Sequence, residues 1–259
     1  MADNWNQGSR SVPVAGSRVD VTIDQGLRTY MLKVYNLMAL GLVLTGVAAY
    51  ALIALTTTND PAQAAANFHG VMLTSAGVAV YGSPLKWVIM LAPLAAGFFL
   101  MFRVNSLSVS AARTTFMVYA ALVGLSLSSI FLVYTTGSVV QTFFVTAAAF
   151  GALSLYGYTT KRSLSAMGSF MMMGLFGIII ASVVNIFMQS SALQFAISAI
   201  GVLVFAGLTA YDTQRIKEMY FEADNSDVAG RKAIMGALTL YLDFINLFMF
   251  MLQLMGNRK

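Results

Sequence analysis

Hydrophobic and polar positions fall in long blocks along this chain, not in the short periods of a soluble helix or strand. Seven apolar stretches recur, at about 32–55, 86–102, 114–134, 138–159, 165–188, 191–216 and 233–255. A hydrocarbon layer of ~30 Å asks for a helix of about 20 apolar residues, so each stretch predicts one transmembrane helix. The first helix is expected to start near Asp24, acting as its N-cap, and to run through LRTYMLKVYN into the first span. Between the first two spans lies a polar-to-mixed loop. Its apolar part, around 70–80, is short and rich in small residues, which fits an interfacial position better than a crossing. Pro93 predicts a kink in the second span. Residues 1–26 are polar, lack the apolar core of a signal peptide and read as a flexible tail. Residues 27–259 then form one transmembrane domain.

Composition agrees with this pattern. Apolar residues make up 58% of the chain and charged residues 10%, whereas a soluble domain is nearer half apolar and a quarter charged. The expected class is an all-α polytopic membrane protein with seven transmembrane helices. The sequence has no cysteine and one histidine, His69, which excludes disulfides and thiolate metal sites and disfavours a histidine-ligated zinc. His69 reads as an exposed loop residue. No HExxH, GxSxG or P-loop pattern occurs, so neither an enzyme nor a bound cofactor is expected. The net charge of +5 follows topology and is not a sign of nucleic-acid binding.

Lysine and arginine placement sets the expected orientation. With the N-terminus in the cytoplasm, twelve of the fifteen basic residues fall on the inner side, and the short turns near Thr136 and Gln189 carry none. Lys86, Arg258 and Lys259 remain outside. The last two dissent, which leaves open a re-entrant seventh segment that returns the tail to the cytoplasm. Arg103 and Arg113 flank the second inner loop and serve first as topology determinants. Gly168, Gly174, Gly177 and Ala181 are small residues suited to close helix packing. Met171–Met173 are read as packing residues, and Asn185, Gln141 and Gln194 as interhelical glue.

The chemistry is concentrated in two acids. Of ten acidic residues, eight lie in polar segments; Asp212 and Asp243 lie inside the sixth and seventh apolar stretches. A carboxylate in a spanning segment is costly unless it is paired, hydrogen-bonded or wetted. Asp212 stands ten residues before the polar turn at 222–230 and Asp243 thirteen after it. At 1.5 Å per residue the depths are roughly 15 and 20 Å, so antiparallel neighbours would bring the two to a similar level. Thr239, Asp243, Asn246 and Phe250 share one helix face, with Thr239 and Asn246 supporting the acid. Phe205, Leu208, Thr209, Asp212 and Arg215 share another.

Two carboxylates at short range resist ionising together and titrate as a unit. A shared proton would hold the two helices; its loss would leave charges that repel or recruit a divalent cation. At about 4 Å that repulsion is roughly 4 kcal/mol for an effective dielectric of ~20, enough to move a gate. Two carboxylates fall short of the six to eight oxygens calcium prefers, so Asp212 and Asp243 would hold calcium only transiently. The structural alternative pairs Asp212 with Arg215 on its own helix and leaves Asp243 neutral, bonded to Thr239 or a tyrosine. Arg103, at the end of the second span, is a candidate counter-ion latch for Asp212. An intramembrane aspartyl protease is a distant third reading, because Tyr211-Asp212 supplies one motif and GxGD is absent.

The stretches GLSLSSIFLVYT, YGYTTKRSLSAMGSF, AYDTQRI and LYLDFINLF resemble the Bax inhibitor-1 (transmembrane Bax inhibitor motif) family in its bacterial branch, over about residues 27–255. The resemblance implies a seven-helix fold, a di-aspartyl pH sensor and a calcium-leak activity in a bacterial inner membrane. Asp212 matches the sensor aspartate of the sixth helix and Asp243 that of the seventh, and the family's latch arginine is carried to Arg103. The loop between the sensor helices, with Glu218, Glu222, Asp224 and Asp227, is longer here than in many relatives. Calcium, protons and the bilayer are the expected partners. A second expectation is a non-transporting regulator that binds a membrane partner, such as a quality-control protease, through the N-terminal tail.

Overall fold

The computed structural model describes residues 16–259 apart from His69, with side chains from residue 25 onward apart from Asn105. The expectations for His69 and for residues 1–15 lie outside that range. Helix α1 (Gly16–Thr56) is followed by a 3-10 turn at Pro61–Gln63 and two short strands, β1 (Ala66–Phe68) and β2 (Val71–Leu73). Then come α2 (Ser75–Tyr81), α3 (Leu85–Arg103), α4 (Val109–Leu127), α5 (Ile130–Val133), α6 (Thr136–Thr159), α7 (Ser165–Met188), α8 (Ser191–Glu218) and α9 (Ser226–Met255). Seven helical segments are long and apolar enough to cross a membrane, with α4 and α5 together forming the third. The chain is an all-α polytopic membrane protein.

Three local differences from the sequence reading have physical causes. Helix α1 begins at Gly16, eight residues ahead of Asp24, because no proline interrupts the backbone between them. The apolar stretch at 70–80 folds as an antiparallel hairpin and a short helix. Gly70, at φ +83°, makes the turn, and the Thr74 hydroxyl caps α2 by accepting from the Gly77 N–H. The third span is broken after Leu127. There Ser128 Oγ donates to the Leu125 carbonyl at 2.6 Å and bonds Tyr81 OH at 2.9 Å, a side-chain competitor for helical backbone groups.

Helix α9 is the axis of the bundle. Of its most apolar window 56% is buried, against 6% for α7 and 11% for α3; α8, α1, α6 and α4 pack around it. Tyr241 at its centre is fully buried, bonded to Thr45 Oγ1 of α1 at 2.7 Å and set edge-on to Phe116 and Tyr119 of α4. The peripheral α3 and α7 turn Phe98, Phe102, Phe170, Phe176 and Phe187 outward, as lipid-facing helices should. Two of the predicted packing glycines do that work: a Cβ on Gly168 would strike the Tyr211 ring and one on Gly174 would strike Val204. Gly177 faces open space. Met171 fills the notch at Gly207.

Both ends of the bundle are closed by named contacts. At one end Gln214 accepts from the Leu164 N–H at 2.8 Å and donates to the Arg162 carbonyl at 2.9 Å. There also Lys217 Nζ donates to the Tyr158 carbonyl, and the Tyr220 ring lies tilted against Tyr30. This end gathers the basic loops, so the expected inner segments share one side. At the opposite end the tail docks on the turn before α6. The Thr135 N–H donates to the Asn257 carbonyl, the Asn257 N–H to Ser138 Oγ, and Lys259 to the Val133 and Phe131 carbonyls. Arg258 lies over the Tyr134 ring. Helix α9 is continuous for 30 residues, about 45 Å, and so crosses outright with no re-entrant turn. The dissenting Arg258 and Lys259 are occupied by aromatic and carbonyl groups at the far end.

Candidate functional site

Helices α8 and α9 run antiparallel, and their register is legible from paired contacts. Ile216 fills the notch at Gly236, Phe205 stacks on Phe250 at 5.7 Å, and Ser198 bonds Gln253 at 2.9 Å. Continuing that register places Asp212 opposite Asp243. The two side chains lie within hydrogen-bonding reach of one another, as the depth argument from the intervening turn required. Asp243 is 5% exposed and Asp212 is half-buried. Asp243 Oδ2 is buried and receives no hydrogen bond from any described donor. A buried acceptor without a donor is rare and costly. The neighbouring side chain is itself a carboxylate, which offers only lone pairs unless a proton or a cation lies between the two groups.

Among the described residues the surroundings supply no other neutralising group. Arg215, one turn along α8, is exposed and makes no ion pair with a described residue. Among the described residues the salt bridge found joins Lys232 of α9 to Asp224 in the loop before it, at 2.6 Å. The structural alternative, in which Asp212 is held by Arg215, therefore lacks its contact. Arg103 is exposed at the end of α3, a helix that packs on α4 and not on α8, and it does not reach Asp212. Thr239 and Asn246 share the face of Asp243, yet each hydrogen-bonds its own helix, Thr239 to the Met235 carbonyl and Asn246 to the Leu242 carbonyl. Neither donates to Asp243. Among the described residues no third His, Cys, Asp or Glu joins the pair to form a metal cage. A cation there would keep most of its water.

Two polar groupings near the seam escaped the sequence reading. Behind α8, a buried hydroxyl chain runs from Tyr35 of α1 to Ser154 of α6 at 2.7 Å and on to Thr213 at 2.9 Å. Nothing in the sequence links residues 119 positions apart, so that chain was invisible. At the far end of the seam, Asn185 donates to Gln194 at 3.1 Å, and Gln194 and Ser198 both donate to Gln253 Oε1 at 2.7 and 2.9 Å. Asn185 and Gln194 are the expected glue. Gln253 is the missing partner, and its place ten residues after Asp243, on the same helix face, was the available signal.

Seven spanning helices, one of them the central α9, with an acid pair on its seam with α8, define a polytopic membrane protein with a titratable centre. The comparisons make the class specific. The family model described as Inhibitor of apoptosis-promoting Bax1 matches residues 27–259, and the chain belongs to this Bax inhibitor-1 family. It is 48% identical to the uncharacterized protein RP147 of Rickettsia prowazekii over 92% of this chain and 93% of that one. It is 46% identical to the inner membrane protein YbhL of Escherichia coli over 90% of this chain and 94% of that one. A protein of Caulobacter vibrioides is 43% identical over 99% of both. With seven spanning helices and this kinship, the chain is a multi-pass protein of the bacterial inner membrane.

Proposed function

We propose that the protein is a pH-sensitive calcium leak channel whose gate is the Asp212–Asp243 pair. The observation that carries the reading is a buried carboxyl, Asp243, whose Oδ2 finds no described donor and whose neighbour across the α8–α9 seam is a second carboxyl, Asp212. With one proton between them the acids bind the helices together. When that proton leaves, two charges face each other in a poorly solvated seam, and roughly 4 kcal/mol of repulsion at ~4 Å drives the helices apart or draws in a divalent cation. Calcium is cargo here, held by two carboxylates and its own water and released again. Acid therefore favours the closed seam and alkali the open one. Family membership supports the same reading. The test is calcium entry into liposomes carrying purified protein, followed across pH for the wild type, Asp212→Asn and Asp243→Asn. Flux that rises with pH in the wild type and is flat in both variants is the expected result. Flux with unchanged pH dependence in the variants removes the pair from the mechanism.

A further inference from the structure

Beyond the acid pair, the α8–α9 seam holds an ordered sequence of side chains. On α9 the same face carries Asp243, Asn246, Phe250 and Gln253; facing it on α8 are Asp212, Phe205, Gly201 and Ser198. At 1.5 Å per residue Phe250 lies about 10 Å from the level of Asp243 and about 5 Å from that of Gln253. Asn246, Phe250 and Gln253 are all half-buried. Amides left partly uncovered at membrane depth are tolerated where they face a water-filled crevice. The stripe therefore has a polar station at either end: the carboxylates with Asn246 on one side, and Gln253 with Gln194 and Ser198 on the other. Between them stand two aromatic rings.

The seating of those rings is specific. Phe250 stacks on the buried Phe205 with centroids 5.7 Å apart and planes 28° from parallel. Its ring lies flat over Gly201, where a Cβ would come within 2.6 Å of it. Gly201 thus opens a slot that accepts the ring and brings it across the seam. The amide cluster one turn further on ties α8 to α9 through two bonds onto a single oxygen, Gln253 Oε1, which keeps the slot narrow. A hydrated ion passing from one station to the other would have to shed water against two rings, and hydrophobic constrictions of this kind block by dewetting.

We propose that Phe250, seated in the Gly201 slot and stacked on Phe205, is the apolar barrier separating the acid pair from the far end of the seam. The barrier is distinct from the proton-dependent pair and rests on the leak-channel reading only for its cargo. Because the native chain has no cysteine, the barrier can be probed without any ion flux. Asn246→Cys is placed alone, with Phe250→Ala and with the volume-keeping Phe250→Leu. Each protein, reconstituted in liposomes, is exposed to a charged, membrane-impermeant thiol reagent from the side where residues 256–259 lie. Met255→Cys, at the exposed end of α9, confirms that the reagent reaches that end. The expected result is slow labelling of Asn246→Cys with Phe250 or Leu at 250, and at least a tenfold faster rate with Phe250→Ala. Equal rates with Phe250 present and removed overturn the proposal, whether both are fast or both slow. Calcium flux in the same liposomes separates the two readings. A labelling switch with no calcium entry in any protein keeps the barrier and rejects the leak channel. Calcium entry that depends on Asp243 but is indifferent to Phe250→Ala, without a labelling switch, does the reverse.

Discussion

Two polar sites sit inside the same helix pair, and they solve the problem of polarity in lipid in opposite ways. The Asn185–Gln194–Ser198–Gln253 cluster is neutral and closed on itself: each donor that enters it finds an oxygen on a neighbouring helix. The Asp212–Asp243 site is open-ended. It puts two acceptors face to face and leaves a buried oxygen without a donor. The first site is what a membrane helix pair needs to cohere. The second is incomplete as a fold and becomes complete only with a proton or a cation. The difference teaches how two ends of a seam that look equally polar can be told apart: only the unsatisfied site has an unmet demand for a proton or a cation.

The largest expected effect follows from the charge in that site. With about 4 kcal/mol between the singly and doubly ionised pair, the ratio of open to closed seam should change about a thousandfold as pH rises through the titration of the pair. The sign is fixed: the shared proton stabilises the closed form at low pH, and its loss destabilises that form as pH rises. Asp243→Asn removes one ionisation and should collapse the change to about threefold or less, read as calcium flux across pH. Asp243→Leu should leave the protein as stable as the wild type at low pH, or more stable, since apolar replacements of buried ionic groups are often neutral or stabilising. Thermal unfolding in detergent measures that.

The neutral cluster should respond in the other manner. Gln253→Ala leaves the Gln194 amide without its acceptor and Ser198 with only the Gln194 carbonyl of its own helix. At about 0.6 kcal/mol for a typical interhelical bond in the membrane and up to ~1.7 for the strongest, the loss should amount to about 1–3 kcal/mol. No member of the cluster titrates, so the fall in melting temperature should be the same at pH 6 and pH 8. A pH-dependent loss would show that the two ends of the seam are not separate and would break the comparison.

How much of this was legible in the sequence depends on the kind of signal each feature leaves. The seven spans leave the strongest, because lipid demands apolar length, and all seven are present as helical segments, the first and the last beginning well ahead of their expected starts and the third broken into two helices. The acid pair was legible because a carboxylate has no bland reason to sit at membrane depth, and because residue counts from one turn fix the relative depth of two antiparallel helices. Arg103 shows the limit of that logic. Its position at a span end said nothing about which helix α3 packs on, and α3 packs on α4. The break after Leu127 was hidden because Ser128 acts through Tyr81, 47 residues away. Thr239 and Asn246 share the face of Asp243, but the Thr239 bond offered by the structural alternative is not made, since helical hydroxyls and amides turn back to the carbonyl four residues earlier when nothing better is near.

Arg215 offers a smaller test of the open-ended site. It is exposed and makes no contact ion pair with a described residue, so its influence on Asp212 is screened by solvent and amounts to less than ~1 kcal/mol. Removing a positive charge makes the doubly ionised pair harder to reach. Arg215→Gln should therefore move the midpoint of the flux profile to higher pH by less than about one unit, whereas Arg103→Gln should leave the midpoint unchanged. A larger shift from Arg103 than from Arg215 would restore the latch that the geometry does not show.

The smallest effect is expected from the end of the chain farthest, in chemical terms, from both sites. A membrane-anchored regulator would need a handle for its partner, and the polar residues 1–15 are the natural one; a leak channel gated within the seam needs none. Deleting residues 1–15 should therefore leave calcium flux and its pH profile unchanged within about a factor of two, because on the proposed reading the gating energy arises between α8 and α9. A deletion that abolished flux would mean that the seam is held by something outside it, and the contrast between a self-sufficient open site and a self-sufficient closed one would fail. A deletion that spared flux but released a membrane protease from control would assign the tail to the regulator reading and leave the acid pair where it stands.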